Sequence, residues 1–228
     1  MNAKPTTQDA GQVCCNETWE AAYQRFETPE EEVSKFVNRL TYLGCKNWNK
    51  NSKILELCTG RGNGLNALEK LGFHNIEGLD LSASLLSKYS GKARTHVADI
   101  RQLPFQDGSY DFVIVQGGLH HLPEFPGDLQ KSLGEARRVL RPNGKLVVVE
   151  PWRTPFLTFV HAMAYNPVTR RLWKKLDAFY VLTENERDTY YPWLARSKEI
   201  IALIEEHFVG EISTQKWGKL YFVGRPKL

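Results

Sequence analysis

The sequence predicts an α/β protein with a mostly parallel β-sheet, helices on both faces of the sheet and an antiparallel hairpin at the C-terminal end. Three observations predict this fold. Apolar runs of strand length alternate with amphipathic runs of helical period between residues 53 and 150. A glycine cluster directly follows the first apolar run, as in strand-to-helix turns that approach a ligand closely. Two β-like runs close the chain and are joined at Gly218.

The elements follow one another in a regular order. Two helices are expected before the sheet, WEAAYQRF and PEEEVSKFVNRLTYL, and the second opens with a proline and three glutamates, which suit a helix N-terminus. The predicted order after them is strand KILEL, helix GLNALEKL, strand IEGLD, helix SLLSKYS, strand RTHVAD, strand YDFVIVQ, helix DLQKSLGEARRVL, strand KLVVVE, helix KEIIALIEEHF, and the hairpin strands EISTQKW and KLYFVG. Seven strands result, and the RPNG string is expected as a turn before the fifth.

The string ILELCTGRGNG at residues 54–64 is the most informative feature of the chain. Gly60, Gly62 and Gly64 lack a Cβ atom, so the backbone can turn tightly and approach a ligand before a helix begins. The next predicted strand ends on Asp80, eighteen residues after Gly62. An acid at about this spacing accepts hydrogen bonds from ribose hydroxyls. Together these features predict a nucleoside cofactor. They leave nicotinamide cofactors and methyl donors equally open, and a surface turn is the alternative.

Composition places the chain among ordinary globular proteins, with 42% hydrophobic and 25% charged residues. Its first residues are polar and no apolar run is long enough to cross a bilayer, so we expect a cytoplasmic protein without a membrane span. The spacing of the cysteines disfavours a disulfide framework and a zinc site, and no metal is expected. These cysteines are Cys14, Cys15, Cys45 and Cys58.

Charge and aromatic residues are concentrated in the last third of the chain. Residues 151–228 carry 12 basic and 8 acidic side chains, which accounts for the whole net charge of +4. Part of this excess is the RRLWKK string, but a solvated helix face explains so short a run and nucleic acid is not an expected partner. Ten of the 26 aromatic residues lie within residues 151–200. We expect residues 151–195 to be an insert that builds an apolar binding pocket.

Four strings, taken in order, resemble the class I S-adenosylmethionine-dependent methyltransferases, particularly the small-molecule group that includes ubiquinone-biosynthesis enzymes. They are ILELCTGRG, IEGLDLS, VADIRQLPFQDGSYDFVIVQGGLHHL and RVLRPNGKLVVVEP. The resemblance implies the Rossmann-like fold of that family and transfer of a methyl group from S-adenosylmethionine to a small molecule, with S-adenosylhomocysteine as the product. It also implies a methyltransferase domain over residues 46–228, preceded by N-terminal helices over residues 1–45 that act as a lid. It leaves the acceptor and the oligomeric state open.

The resemblance also assigns a role to individual residues around the donor. Glu56 is expected near the ammonium group, Gly60 and Gly62 beneath the methionine part, and Asp80 at the ribose. The remaining positions are Leu81 packing on the adenine, Asp99 and the backbone of Ile100 at the adenine amino edge, Gln116 and Gly117 on the carboxylate and sulfonium side, and Tyr23 with Phe26 in the lid. Cys58 stands where the family usually has its first glycine, so its Cβ is expected to narrow the space beside the donor.

The acceptor side is defined less sharply by the sequence. His120 and His121 follow the fourth strand and are the candidate catalytic bases, with local packing as the alternative. His161, Tyr165, Tyr190 and Tyr191 are further polar candidates within the aromatic insert. Three other functions stay open. One is other chemistry on the same donor, such as aminopropyl or carboxymethyl transfer. The second is a non-catalytic module that binds S-adenosylmethionine and stabilises or regulates a partner, and the third is a nicotinamide-dependent oxidoreductase, which the terminal hairpin disfavours.

Overall fold

A computed structural model describes residues 17–227 and confirms the predicted fold class. Within these residues the sheet has seven strands in the order β3-β2-β1-β4-β5-β7-β6. The first five strands are parallel, and β7 runs antiparallel between β5 and β6. Cys14 and Cys15 lie outside the described residues.

The bounds of the elements agree with the predicted segments in most cases. The strands are β1 Ile54–Leu57, β2 Ile76–Asp80, β3 Arg94–Val97, β4 Tyr110–Gln116, β5 Leu140–Pro151, β6 Phe208–Lys216 and β7 Lys219–Pro226. The helices are α1 Glu17–Phe26, α2 Pro29–Tyr42, α3 Asn63–Lys70, α4 Ala83–Leu86, α5 Gly127–Val139, α6 Pro155–Tyr165, α7 Pro167–Leu172, α8 Lys174–Asn185, α9 Arg187–Ala195 and α10 Ser197–His207.

Alternate residues of each central strand enter different cores, which decides where the polar residues at the strand ends point. Ile54 and Ile114 lie in the core against α2 and α3, whereas Leu55 and Val115 lie in the core against α5, α9 and α10. With a period of two, Glu56, Asp80 and Gln116 share the α2/α3 face. By the same count Glu150 belongs to the opposite face, because Val148 lies in that core. The two faces therefore present different polar groups at the carboxyl edge of the sheet.

Three local features differ from the sequence prediction. The RPNG string lies inside β5, where it loops out between the Tyr110–Leu140 and Phe112–Lys145 pairs. Helix α4 ends at Leu86, earlier than predicted. The aromatic insert is a run of four helices, α6 to α9. Its Trp152 and Trp193 are buried in the core, at 1% and 5% exposure, so these two rings support the fold.

Cys58 takes a left-handed backbone conformation, with φ of 55°, immediately after β1. Such a φ strains any residue with a Cβ, which explains why glycine suits this position. Its side chain lies beside Gly118, where an added Cβ would stand 2.4 Å from both Cβ and Sγ of Cys58. The loops that follow β1 and β4 can therefore approach each other only because residue 118 is glycine.

This contact predicts a paired effect on stability. Gly118→Ala should lower the free energy of unfolding by about 1–3 kcal/mol, because a well-packed site must shift to admit the methyl group. Adding Cys58→Gly should recover much of that loss by removing the opposing atoms. Urea denaturation measures both. Gly127→Ala is the matched control, since nothing lies within 4 Å of its added Cβ. Equal losses with and without Cys58 would contradict this explanation.

Candidate active site

The glycine loop between β1 and α3 is fixed to the end of β2 by Asp80. The backbone N–H of Gly60 donates to Asp80 Oδ2 at 2.8 Å, and that of Ser82 donates to Oδ1 at 2.8 Å. Gly60 and Gly62 have φ of 55° and 80°. Asp80 is partly exposed, and Leu81 beside it is 50% exposed. The loop, the carboxylate and an open apolar side chain thus meet at one edge of the sheet.

Glu56 is a buried carboxylate beneath the glycine loop, with 2% exposure. An added Cβ on Gly64 would stand 1.8 Å from Glu56 Oε1, so the start of α3 packs directly on this group. Within the described part of the chain, Glu56 Oε2 is buried without a hydrogen-bond partner. Burial and the nearby charges of Glu32 and Asp80 raise the pKa of Glu56 to about 8. Glu56 is therefore mostly protonated at neutral pH, and a cation beside it would favour its charged form.

Glu32 on α2 brings the N-terminal helices into the same site. Its carboxylate accepts hydrogen bonds from the Tyr23 hydroxyl on α1 and from the Asn63 amide on α3. Burial and the charge of Glu32 raise the pKa of Tyr23, so the hydroxyl stays protonated and donates. Tyr23 also stacks on Trp19, with ring centroids 4.8 Å apart. Tyr23 thus lies at the edge of the Glu56 site.

Asp99 lies at the end of β3 and is held by a neighbour that the sequence analysis did not identify. Arg101 donates from Nη2 to Asp99 Oδ2 at 2.6 Å and from Nη1 to Asp128 Oδ2 at 2.9 Å. The hydrogen bonds from Arg101 lower the pKa of Asp99. Ile100, between them, is buried at 7% exposure. A carboxylate and a buried apolar residue are therefore fixed where the resemblance expects an adenine ring.

Gln116 and Gly117 end β4 next to the Glu56 site. Gln116 is 8% exposed, and both polar atoms of its side chain are buried without a partner among the described residues. Gly117 has φ of 77° and donates its N–H to the Val149 carbonyl at 2.9 Å. Unpartnered buried amide atoms cost free energy. Those of Gln116, like Glu56 Oε2, are available to a polar ligand.

Glu150 organises the opposite face at the end of β5. It is fully buried, and its Oε1 accepts the backbone N–H groups of Gly118 and Leu119, each at 2.8 Å. Its Oε2 lies 2.7 Å from His120 Nδ1. Burial opposes the charged form of Glu150, but the hydrogen bond and charge of His120 outweigh it and lower the pKa of Glu150. One carboxylate thus fixes both the turn after β4 and the first histidine.

The two histidines have opposite electrostatic properties. Burial lowers the pKa of His120, but Glu150 and Glu186 outweigh it and raise that pKa to about 9. Burial and the charge of His120 lower the pKa of His121 to about 4. The two ring centroids are 4.0 Å apart. At neutral pH His120 is therefore a cation and His121 is neutral, with a buried Nδ1 that lacks a partner among the described residues.

Glu186, between α8 and α9, completes this cluster. Its Oε2 lies 3.5 Å from His120 Nε2, and its Oε1 accepts from Trp19 Nε1 at 2.5 Å. Among the residues described, His120, His121 and Glu186 are the group that could hold a metal ion, with one ligand atom from each within 4.8 Å of the others. Of these atoms, His120 Nε2 and Glu186 Oε2 are charge-paired, and the ring of His121 packs against that of His120.

The aromatic insert adds a second layer beyond the histidines. His161 Nε2 lies 3.2 Å from the Tyr190 hydroxyl, and the Tyr190 ring lies 6.0 Å from His120. The hydroxyls of Tyr165 and Tyr191 are 2.7 Å apart, and Tyr165 donates to Glu184 at 2.8 Å. The structure thus joins His161 and Tyr190 to the histidine pair and places Tyr165 and Tyr191 further out.

Helix α1 contacts both the glycine loop and the helices of the aromatic insert. Its Glu20 pairs with Arg61 of the glycine loop and with Lys88, at 2.8 Å from the latter. On the other side Arg25 pairs with Asp177 of α8 at 3.1 Å, and Phe26 packs on Phe179 with centroids 6.0 Å apart. Helix α1 therefore covers the edge of the sheet while held at both sides.

The structure brings the predicted site residues together along one edge of the sheet, in two groups. Glu56, Gly60, Asp80, Gln116 and Tyr23 form one group, and the histidines form the other. Sequence reasoning missed Glu32, Arg101, Glu150 and Glu186. Only Glu150 had a usable signal, an acidic residue at the carboxyl end of a predicted central strand. Glu32 and Glu186 act through contacts with residues 31 and 167 positions away, and Arg101 joins its near neighbour Asp99 to Asp128, 27 positions away.

The chain is similar in sequence to known methyltransferases. Residues 55–148 match a family model described as a methyltransferase domain. The chain is 28% identical over 149 residues to a demethylmenaquinone methyltransferase of Staphylococcus haemolyticus, covering 58% of this chain and 61% of that protein. It is 27% identical over 179 residues to the ubiquinone/menaquinone biosynthesis C-methyltransferase UbiE of Geotalea daltonii, covering 66% of this chain and 74% of that protein. The chain thus spans less than two thirds of the staphylococcal relative.

A solved structure supports the fold independently. The PH0226 protein of Pyrococcus horikoshii superimposes with a TM-score of 0.67 and 20% identity, covering 93% of this chain and all of that one. At this identity the likeness concerns the fold alone. None of the helices between residues 17 and 227 combines the length and apolar character needed to cross a bilayer.

The buried Glu150–His120 pair predicts a pH-dependent stability. The pKa of folded His120 is raised above its ordinary value of 6.5, so the pair stabilises fully below about pH 6.5 and loses this contribution as pH rises through about 9. Glu150→Gln keeps an oxygen for the two backbone N–H groups but removes the charge. At neutral pH this substitution should lower the free energy of unfolding by about 3 kcal/mol. As pH rises towards 9, the variant should lose less stability than the unmodified protein. Urea denaturation measures both effects.

Glu77→Gln is the matched control for this experiment. Glu77 also pairs with a histidine, His96, at 2.7 Å, but the two side chains are 15% and 25% exposed. Its replacement should cost about 1 kcal/mol, because solvent screens the pair. Equal losses for the two variants, or an unchanged pH profile in Glu150→Gln, would show that the buried charge pair is not the source.

Proposed function

We propose that this protein transfers a methyl group from S-adenosylmethionine to a small-molecule acceptor, on its resemblance to the class I S-adenosylmethionine-dependent methyltransferases. The observation that carries the proposal is the group of unsatisfied polar atoms at the carboxyl edge of the sheet. Glu56 Oε2 and both polar atoms of Gln116 lack partners among the described residues, and the charges of Glu32 and Asp80 lie near Glu56. A ligand with an ammonium group and a carboxylate satisfies both needs.

The residues of this edge fit the donor in the roles that the resemblance implies. Glu56 holds the ammonium group and Gln116 with Gly117 the carboxylate side, while Asp80 accepts from the ribose hydroxyls. At the adenine, Leu81 packs on the ring, and Asp99 with the backbone of Ile100 binds its amino edge. Gly60 and Gly62 let the backbone pass close beneath, and Cys58, with its side chain against Gly118, borders the same space.

When bound, S-adenosylmethionine supplies a methyl group on a positively charged sulfur, which is a good leaving group for in-line displacement. The protein's contribution is then largely alignment and exclusion of water. Residues 1–45 act as the lid, through α1 and Tyr23, and residues 46–228 form the methyltransferase domain. Residues 151–195 form the acceptor side. The proposal includes a cytoplasmic location, which rests on composition alone.

On the acceptor side, His120 and His121 take different roles in this proposal. His121 is neutral at neutral pH, so it is the histidine that can accept a proton from an acceptor hydroxyl. His120, held as a cation by Glu150 and Glu186, stabilises the anion that remains. A quinone-type compound in its reduced form suits this pair, and demethylmenaquinone, the compound in the relatives' names, is the first acceptor to test.

Donor binding should depend strongly on Glu56. Glu56→Gln should weaken binding of S-adenosylhomocysteine about ten- to a hundredfold in titration calorimetry, because a charge-assisted hydrogen bond is lost. Because the pKa of Glu56 is raised to about 8, binding to the unmodified protein should tighten as pH rises from about 6 to 9, and this gain should be absent in the variant.

Asp111→Asn is the control for the donor experiment. Asp111 lies near the amino end of β4, at the opposite edge of the sheet, where it pairs with Arg141 at 2.6 Å. Its replacement should leave the dissociation constant unchanged. If the unmodified protein binds neither S-adenosylmethionine nor S-adenosylhomocysteine, the proposed function is wrong.

Catalysis should separate from donor binding at His121. His121→Ala should lower kcat about a hundredfold or more while the affinity for S-adenosylhomocysteine stays within a factor of two, as expected for loss of a general base. His74→Gln, an exposed histidine after α3, is the matched control. Transfer of isotope-labelled methyl to reduced demethylmenaquinone measures kcat. A protein that binds the donor but labels neither this acceptor nor cell extract would be the non-catalytic module.

A further inference from the structure

Helices α6 and α7 expose an unusual amount of apolar surface. Of the eleven large hydrophobic side chains that are exposed in the described residues, six lie within residues 156–173. They are Phe156 at 45%, Phe159 at 63%, Tyr165 at 49%, Val168 at 63%, Leu172 at 81% and Trp173 at 59%. We call these six side chains the α6–α7 face. A concentration of exposed apolar side chains in one segment of a globular domain is typical of an interaction site.

Positive charge accompanies this surface without any opposing charge in the same segment. Residues 153–176 contain five basic side chains and no acidic one. Arg171 and Lys174 are exposed, and Lys175 pairs with Glu31 at 3.0 Å. The combination of exposed aromatic and aliphatic side chains with flanking cations is the pattern of segments that lie in the interface of an anionic membrane.

A concavity beside the α6–α7 face suits the headgroup of such a lipid. It has a volume of about 370 Å³ and is lined by Pro167, Arg170, Arg171, Lys174 and Asp177. Asp177 is neutralised by Arg25 at 3.1 Å. The Nε of Arg170 is buried without a hydrogen-bond partner among the described residues. Three cationic side chains, one with an unused donor, would bind a phosphate group.

We propose that the α6–α7 face docks on an anionic phospholipid surface, with a lipid phosphate in the Arg170–Arg171–Lys174 concavity and the rings of Phe159 and Trp173 in the interface. A second copy of the chain is a poorer occupant, because a symmetric contact would bring the two sets of cations together. Aromatic rings at headgroup depth and nearby arginines satisfy an apolar and an anionic layer at once.

The inner side of α6 connects this face to the acceptor side of the site. Leu157 and Ala164 are buried beneath it, and His161 contacts Tyr190, which packs near His120. Docking would therefore hold the aromatic insert against the lipid surface, with the acceptor side directly behind it. The inference concerns lipid binding alone, so it stands or fails independently of methyl transfer.

Flotation of the full chain with vesicles tests the proposal. The protein should float with phosphatidylcholine vesicles that contain phosphatidylglycerol, and several-fold less with phosphatidylcholine alone. Arg171→Glu/Lys174→Glu should weaken binding by more than about fivefold for each charge removed. Phe159→Ser/Leu172→Ser/Trp173→Ser should abolish flotation while leaving the circular dichroism spectrum and S-adenosylhomocysteine affinity unchanged. Inorganic phosphate at millimolar concentration should compete only weakly.

Two exposed residues elsewhere supply matched controls. Val209→Ser removes an apolar side chain on β6 that is 41% exposed, and Lys198→Glu reverses an exposed charge on α10. Both should float like the unmodified protein. Absence of flotation with anionic vesicles would overturn the proposal. So would binding that survives the triple serine variant, which would be electrostatic only, or a dimer in sedimentation that this variant converts to monomer without any lipid binding.

Discussion

The arrangement of the acceptor side depends on a single buried carboxylate. Glu150 sits at the end of a central strand with no exposure to solvent, so its charge must be satisfied by the protein. Two backbone N–H groups of the turn after β4 and the ring of His120 satisfy it. Glu150 fixes the turn and, together with Glu186, keeps His120 protonated, and the charge of His120 adds to burial in keeping His121 neutral. Replacing any partner would leave a charge without compensation in the core.

The site around Glu56 differs from the site around Glu150. Glu56 is buried but incompletely partnered, and its raised pKa records the cost of holding a charge near Glu32 and Asp80. A buried carboxyl group that is costly to ionise without a neighbouring cation favours ligand binding over stability. The two-residue period of the strands keeps the two sides apart, because Glu56 and Glu150 point to opposite faces of the same sheet edge. The two carboxyl groups therefore belong to separate groups of side chains.

Much of this could be predicted from the sequence, and the reasons for success and failure are physical. The central strands are buried on both faces and have continuous apolar sequences, so the sequence predicts β1, β2 and β4 and their order along the chain. Asp80 was found because its spacing from the glycines is fixed by one βαβ unit. Glu32 bonds to Asn63, 31 residues away, and Glu186 bonds to Trp19, 167 residues away. No local sequence pattern marks either glutamate. The helix α6 was missed because its outward side is apolar too, which removes the amphipathic period.

Helix α1 touches the glycine loop through Glu20 and the acceptor cluster through Trp19. The Glu56 group and the histidine group therefore share one helix, so a ligand that stabilises α1 at one group would favour ligand binding at the other. Thermodynamic linkage makes this influence reciprocal. If donor binding stabilises the position of α1 and thereby strengthens acceptor binding, acceptor binding strengthens donor binding by the same factor. In the proposed methyl transfer, one ten-residue helix would couple exclusion of water at the donor to binding of the acceptor.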